Sequence, residues 1–172
     1  MPARRDLESR VIDDHHQALK LWLRLLSCTT RIEDIVRYRL RRDFATTLPR
    51  FDLLAQLERH PSGLTMGELS QRMMVTGGNV TGITDQLEGE GLVLRAPQPG
   101  DRRAYAVRLT PAGRRQFRRM AAIHEQWIVE LFSAWPDADK QRVHKLLAAL
   151  KTHLAERDLP STQVRKPKET HP

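Results

Sequence analysis

Two adjacent arginines, Arg102 and Arg103, follow Asp101 in the charged stretch Gly100-Asp101-Arg102-Arg103-Ala104-Tyr105. A guanidinium is always charged and presents its donors in a planar fork, so its natural partners are carboxylates and phosphates. Adjacent side chains on a tight turn point different ways. One can enter a narrow minor groove, where the negative potential is enhanced, while the other meets a phosphate. Asp101, two residues before Arg103, can hydrogen-bond the loop and aim that guanidinium. The surrounding charge is segregated: from Arg95 to Arg119 there are eight arginines, no lysine and one acid, Asp101. From Thr65 to Glu90 the balance reverses, with Glu68, Asp85, Glu88 and Glu90 against Arg72 alone. With a formal net charge of +8, the chain favours a polyanionic partner such as nucleic acid.

A second group of chemically able residues lies on a helix expected from Thr76 to Glu88, with Thr76, its cap, and Gly77 at its start both candidates for DNA contact. At 100° per residue Val80, Ile83 and Leu87 share one buried stripe. The opposite side presents Gly78, Gly82 and Asp85, flanked by Asn79, Thr81 and Gln86. Glycine within a helix costs about 1 kcal/mol relative to alanine. Two on an outward face suit close approach of the backbone to a major groove, unless Gly77 and Gly78 merely belong to the turn. Asn79 and Gln86 match the donor–acceptor pair of adenine, Thr81 a base edge or a phosphate, and Asp85 the amino group of cytosine. Asp85 is better explained as holding Arg72 or a wing arginine. No Arg or Lys lies on this helix, so shape and backbone contacts must supply more of the affinity.

Other chemistries find little support. One cysteine, Cys28, excludes an intramolecular disulfide, and its apolar run places it in the core. His15 and His16 are adjacent and cannot share one helix face; with His124 they form no ligand spacing, so neither metal nor other cofactor is expected. There is no Ser/His/Asp order, paired carboxylates or phosphate loop, which argues against an enzyme. No apolar run reaches the 18 residues of a membrane span. The opening MPARRDLESR lacks the apolar core of a secretory signal, so a cytoplasmic location is expected.

These residues need elements to position them. One helical pattern runs from about His15 to Arg42 on Leu19, Trp22, Leu25, Leu26, Ile32, Ile35 and Val36. A second, with Pro49 in its first turn, carries Phe51, Leu54 and Leu57 and stops at His60-Pro61-Ser62-Gly63. Thr65-Met66-Gly67-Glu68 reads as a capping box opening a short helix with Leu69 and Met73. That helix and the glycine-bearing one make a helix-turn-helix. Strands at 92–95 and 104–109, the second with Tyr105, Val107 and Leu109 on one face, flank a turn over 96–103 that Pro97 and Pro99 restrict. A basic hairpin directly after a helix-turn-helix is a winged helix. Thr110-Pro111 caps a long helix with Phe117, Met120, Ala121, His124, Trp127, Ile128, Leu131 and Phe132 as its stripe. Asp137 caps a last helix bearing Val143, Leu146, Leu147, Leu150 and Leu154. The fold class is mainly α, divided into an N-terminal arm and helix (1–47), a winged helix-turn-helix (48–110), C-terminal helices (111–156) and a disordered basic tail (157–172).

The order of a long helix, LTMGELSQRMMVTGGNVTGITDQLEGEGLVLR and DRRAYAVRLTPAG resembles the MarR family of bacterial winged-helix regulators, from about His15 to Leu154. The most specific piece is a D-x-R wing followed by x-V-x-L-T, met by Asp101, Arg103, Val107, Leu109 and Thr110. The resemblance implies a homodimer whose terminal helices intertwine over a pseudo-palindromic site, with Arg103 the minor-groove arginine and Asp101 its support. A repressor is the reading this supports. A winged helix can also serve as a protein-interaction module, and salt-dependent duplex binding separates the two.

In peroxide-sensing members the reactive cysteine lies about two turns before a helix arginine that matches Arg31; Cys28 lies less than one turn before it. Segments LWLRLLSCTTRIE, TLPRFDLLAQLERHP and MVTGGNVTGITDQL are similar to regulators of aromatic-acid and hydroxycinnamate breakdown, several of which respond to a coenzyme A thioester. On that resemblance Trp22, Leu26, Phe44, Phe51 and Leu54 line an aryl slot, and Arg39, within the cluster Arg37, Arg39, Arg41 and Arg42, binds nucleotide phosphates. A solvated helix face is the other reading of that cluster, and a free phenolic or aromatic acid is the other effector.

Overall fold

The computed structural model describes residues 16–73, 77–98 and 101–157. Helices α1 (Gln17–Phe44), α2 (Leu48–Arg59), α3 (Met66–Met73) and α4 (Gly77–Gly89) precede a hairpin of β1 (Val93–Gln98) and β2 (Asp101–Leu109); α5 (Pro111–Leu131) and α6 (Asp137–Ala155) follow. The expected Thr76 cap and the tail beyond Arg157 lie outside the described residues. Compactness divides the chain after Leu131. The elements up to that point share one core, into which α5 sends Phe117, Met120 and Trp127.

Local chemistry accounts for the breaks between elements. α1 ends at Ala45, which takes a left-handed conformation with φ 49°, and Pro49 stands in the first turn of α2. The capping box forms: Glu68 accepts from the backbone N–H of Thr65 at 2.8 Å, and the Thr65 hydroxyl accepts from the Glu68 N–H at 3.2 Å. The Thr65 N–H and the Thr65 hydroxyl, which donates to the same carboxylate at 2.8 Å, hold the Glu68 carboxyl below the usual range. Pro136 precedes α6, and Asp137 is its first residue rather than its cap. There the carboxylate favours the helix dipole and pairs with Lys140 at 3.1 Å.

The core centres on α2, which buries Phe51, Leu53, Leu54 and Leu57. Leu53, fully buried, lies off the stripe that the sequence marks; a helix packed on by α1, α3, α4, α5 and β2 has more than one apolar side. The hairpin is longer than expected. Val93 faces Leu109 and Pro97 faces Tyr105, with a register shift only between Pro97 and Gln98. Leu64 bridges the outer edge of β2 at Val107, whereas Pro97 lies on β1 at the other edge of the sheet, where a residue without an N–H is tolerated. Val107 and Leu109 are buried, whereas Tyr105 on the same face is 54% exposed, because the hairpin projects past the core at that point.

α1 departs most from its expected burial. Only Val36 and Leu40 of this helix are buried, and Leu19, Leu21, Trp22 and Leu26 are exposed. Cys28 is exposed too, which corrects its placement in the core: it sits on the first half of α1, whose apolar face the single chain leaves uncovered. Described by itself, α6 has no buried residue and exposes Leu146, Leu147, Leu150 and Leu154.

Around α5 the aromatic rings gather. His124 stacks at 4.9 Å from Phe51 and meets Trp127 edge-on at 6.2 Å, and Phe44 lies 6.0 Å from Trp127. Burial lowers the pKa of His124 below its ordinary value, so the folded protein favours the neutral ring. The unfolded chain then binds the proton more readily, and stability present above about pH 6.5 is lost as pH falls through that value. Melting temperature should fall as the pH drops below about 6.5, and His124→Leu should flatten that slope; an unchanged slope would contradict the assignment. Glu68 and Glu130 are lowered carboxylates whose losses come at lower pH, and Asp52, raised by burial and by Glu33, works in the opposite sense.

Candidate nucleic-acid interface

The helix-turn-helix presents α4 outward by burying its other side. Val80, Ile83, Thr84 and Leu87 enter the core, and the Thr84 hydroxyl donates to the Val80 carbonyl at 2.8 Å. Gly77, Gly78, Asn79, Thr81, Gly82, Asp85 and Gln86 are exposed. A Cβ built at Gly77, Gly78 or Gly82 would meet nothing within 4 Å. Among the described residues no packing requires glycine there, and an outward-facing backbone is left open to a partner. Thr81 spends its hydroxyl proton on the Gly77 carbonyl at 3.0 Å, which leaves its oxygen as an acceptor.

Asp85 holds an arginine, and the partner is Arg95 of β1 rather than Arg72. One Arg95 amino group lies 2.6 Å from Asp85 Oδ1, the other pairs with Glu88, and the Arg95 backbone N–H donates to Glu88 Oε1 at 3.1 Å. The Asp85 bond and the two carboxylate charges raise the pKa of the guanidinium. Glu90, just past α4, pairs with Arg50 of α2.

The wing root is a three-way junction. Thr110 donates its hydroxyl to the Gly91 carbonyl at 2.7 Å and accepts from the Gly113 N–H at 3.0 Å, so the expected cap of α5 forms. The Thr110 N–H donates to the Leu92 carbonyl at 3.0 Å, and the Leu92 N–H to Leu87 of α4 at 2.9 Å. The end of α4, both hairpin strands and the start of α5 are thus tied within a few residues. At the far end, the backbone of Asp101, Arg102 and Arg103 opens β2; the side chains of these three lie outside the described residues.

The basic segment divides by partner. Arg114 and Arg118 both pair with Glu58 of α2, at 3.1 and 2.9 Å, and Arg95 serves α4. These three arginines already have carboxylate partners within the chain. Arg115 and Arg119 instead line a cleft of about 620 Å³ with Arg42, Asp43, Phe44 and Met120. Of the six residues expected to line an effector slot, Phe44 alone lines this cleft. Phe51 and Leu54 are core residues, and Trp22 and Leu26 stand exposed on α1. Arg39 is bidentate to Glu130 at 2.8 and 2.9 Å and lies over the Trp127 ring. Arg37 pairs with Glu33 and Asp34, and Arg42 with Asp43. Three arginines of the Arg37–Arg42 cluster are thus neutralised within the chain, each near a carboxylate of its own helix or of α5.

Comparison with known proteins decides the family. Residues 46–105, which span α2, α3, α4 and most of the hairpin, match the MarR family. A MarR family transcriptional regulator from Silicibacter pomeroyi is 30% identical; the match covers 83% of this chain and 99% of that one, with a TM-score of 0.69. The chain belongs to the MarR family. Sco3205 of Streptomyces coelicolor, a member solved in complex with DNA, is 26% identical, with 81% of this chain and 90% of that one covered and a TM-score of 0.68. The HTH-type transcriptional regulator PecS of Dickeya dadantii is 28% identical over 106 residues, which are 60% of this chain and 64% of that protein. As a MarR-type regulator the chain is a DNA-binding transcriptional regulator and not an enzyme. Among the described residues no helix is long and apolar enough to cross a membrane.

Proposed function

We propose that this MarR-type regulator is a homodimeric repressor that lays α4 of each subunit in a major groove and Arg103 of each wing in the flanking minor groove. The observation that carries the reading is the outward face of α4. Gly78 and Gly82 give the backbone close approach, and exposed Asn79 and Gln86 bring paired donors and acceptors to base edges. Asp101 supports Arg103, and Arg102 serves a phosphate. Dimerisation is favoured by the exposed apolar residues of α1 and, separately, of α6. Two recognition helices then sit at half-sites about one helical turn apart, roughly 34–36 Å.

The effector of this reading is a small anionic aromatic molecule in the cleft at Phe44, Met120, Arg115 and Arg119. An aromatic body meets Phe44 and Met120 there, and a carboxylate meets the guanidinium groups. Neutralised Arg37, Arg39 and Arg42 favour the free acid over its coenzyme A thioester. The cleft lies beside the first turns of α5, close in sequence to Gly113, so its occupation can shift the wing root. A ligand shifts the equilibrium only if it binds the DNA-incompetent state better.

The test is release of a bound duplex by a panel of aromatic carboxylic acids beside their coenzyme A thioesters. Free acids are expected to release it, and Arg119→Gln should abolish that response while leaving DNA affinity intact. Release by thioesters alone, or by neither class, would overturn the ligand assignment.

A further inference from the structure

We infer that Arg95 is a positioning residue for DNA binding: it cancels the negative charge of α4 and fixes that helix to the root of the wing. The inference rests on the reading that α4 and the wing meet DNA.

The ionisable residues of α4 are Asp85 and Glu88, both acidic. A helix that carries two carboxylates and no cation is repelled by the phosphates it must approach. At physiological salt charges interact over about 8 Å, well within the reach of a docked groove. Arg95 answers both acids at once. Its two amino groups take Asp85 and Glu88 separately, and its backbone N–H takes the remaining Glu88 oxygen. The Arg95 side chain is 28% exposed, while Asp85 keeps 58% of its side chain open. Asp85 Oδ1 is committed to Arg95, so the carboxylate is held in one orientation on the groove-facing side.

The same three bonds join two elements. Asp85 and Glu88 belong to α4 and Arg95 to β1, so the recognition helix and the wing move as one body. Major-groove and minor-groove contacts then carry a fixed spacing. Lysine cannot reproduce this, because one ammonium lacks the planar fork that spans both carboxylates.

The test uses a duplex that the wild-type protein selects from a randomised pool, with affinity measured across a range of salt concentrations. Arg95→Gln should weaken binding by about tenfold or more, since it exposes like charge to phosphate. Glu88→Gln/Arg95→Gln, which keeps Asp85, should recover about a third or more of that loss on a logarithmic scale, because one repelling charge is gone. Glu88→Gln alone should bind more tightly than wild type with a steeper salt dependence, since the guanidinium is partly released.

A clasp that only braces the fold predicts the reverse: the double variant would be as weak as Arg95→Gln and Glu88→Gln no tighter than wild type. Either result overturns the inference, as does wild-type affinity in a folded Arg95→Gln protein. If Arg95→Gln fails to fold, the Glu88→Gln comparison decides alone. A wild-type protein that selects no duplex overturns the functional reading together with this one. Loss of binding in Arg103→Ala with no effect of Arg95 or Glu88 overturns this one only.

Discussion

Gly113→Ala is expected to destabilise the protein by about 3 kcal/mol, the upper end for forcing atoms into a packed interior. A Cβ at that position would sit 1.9 Å from the Leu92 carbonyl oxygen and 2.8 Å from its carbon. Both are backbone atoms, so no rotamer change can make room. The start of α5 would have to move off the wing root, breaking the Thr110 cap and the Leu92 bond that align the hairpin with α4. For a chain of this size the melting temperature should fall by about 6–12 °C, compared at equal protein concentration because dimerisation makes it concentration-dependent. Gly113→Ala/Leu92→Ala should show no rescue, since shortening the Leu92 side chain leaves its carbonyl in place. A Gly113→Ala protein that melts within a degree or so of wild type would contradict the junction's geometry.

Arg103→Ala should weaken duplex binding by about 1–3 kcal/mol while leaving the fold intact. The structure makes this residue more important than the composition suggests. Of the arginines flanking the wing, Arg95, Arg114 and Arg118 are committed to carboxylates of α4 and α2, and α4 carries no cation of its own. On the hairpin this leaves Arg102 and Arg103 at the tip and Arg108 further along β2 to supply cationic charge. Arg102→Ala should mainly reduce the salt slope, by about one unit, because a phosphate contact releases a counterion without reading sequence. Measuring affinity for the selected duplex and for a scrambled one separates the two. Equal affinity for the selected duplex in a folded Arg103→Ala protein would sink the minor-groove assignment.

Much of this arrangement is legible in the sequence where local chemistry decides it. Pro49, the Thr65–Glu68 box and the Thr110-Pro111 start each mark a helix boundary because they satisfy or remove particular backbone groups. The α4 stripe of Val80, Ile83 and Leu87 follows from helical spacing alone. What escapes the sequence depends on who packs against whom. Leu53 is buried because α2 is surrounded, and no single-face pattern reveals that. A wing arginine on Asp85 is legible in the sequence, but Arg114 and Arg118 look like parts of one basic surface until folding brings Glu58 beside them. Cys28 looks interior because its neighbours are apolar, yet the first half of α1 is uncovered in the single chain. The effector slot had the same difficulty: Phe51 and Leu54 are as apolar as Phe44, and only three-dimensional packing distinguishes core from cleft.

The proposed arrangement is two recognition helices, each clasped to its own wing, reading successive turns of one duplex. Hydroxyl-radical footprinting of the wild-type protein on its selected duplex tests that most directly. The expected pattern is two protected half-sites about one helical turn apart, each flanked by minor-groove protection that Arg103→Ala removes. A single protected half-site, or flanking protection that persists without Arg103, would contradict it.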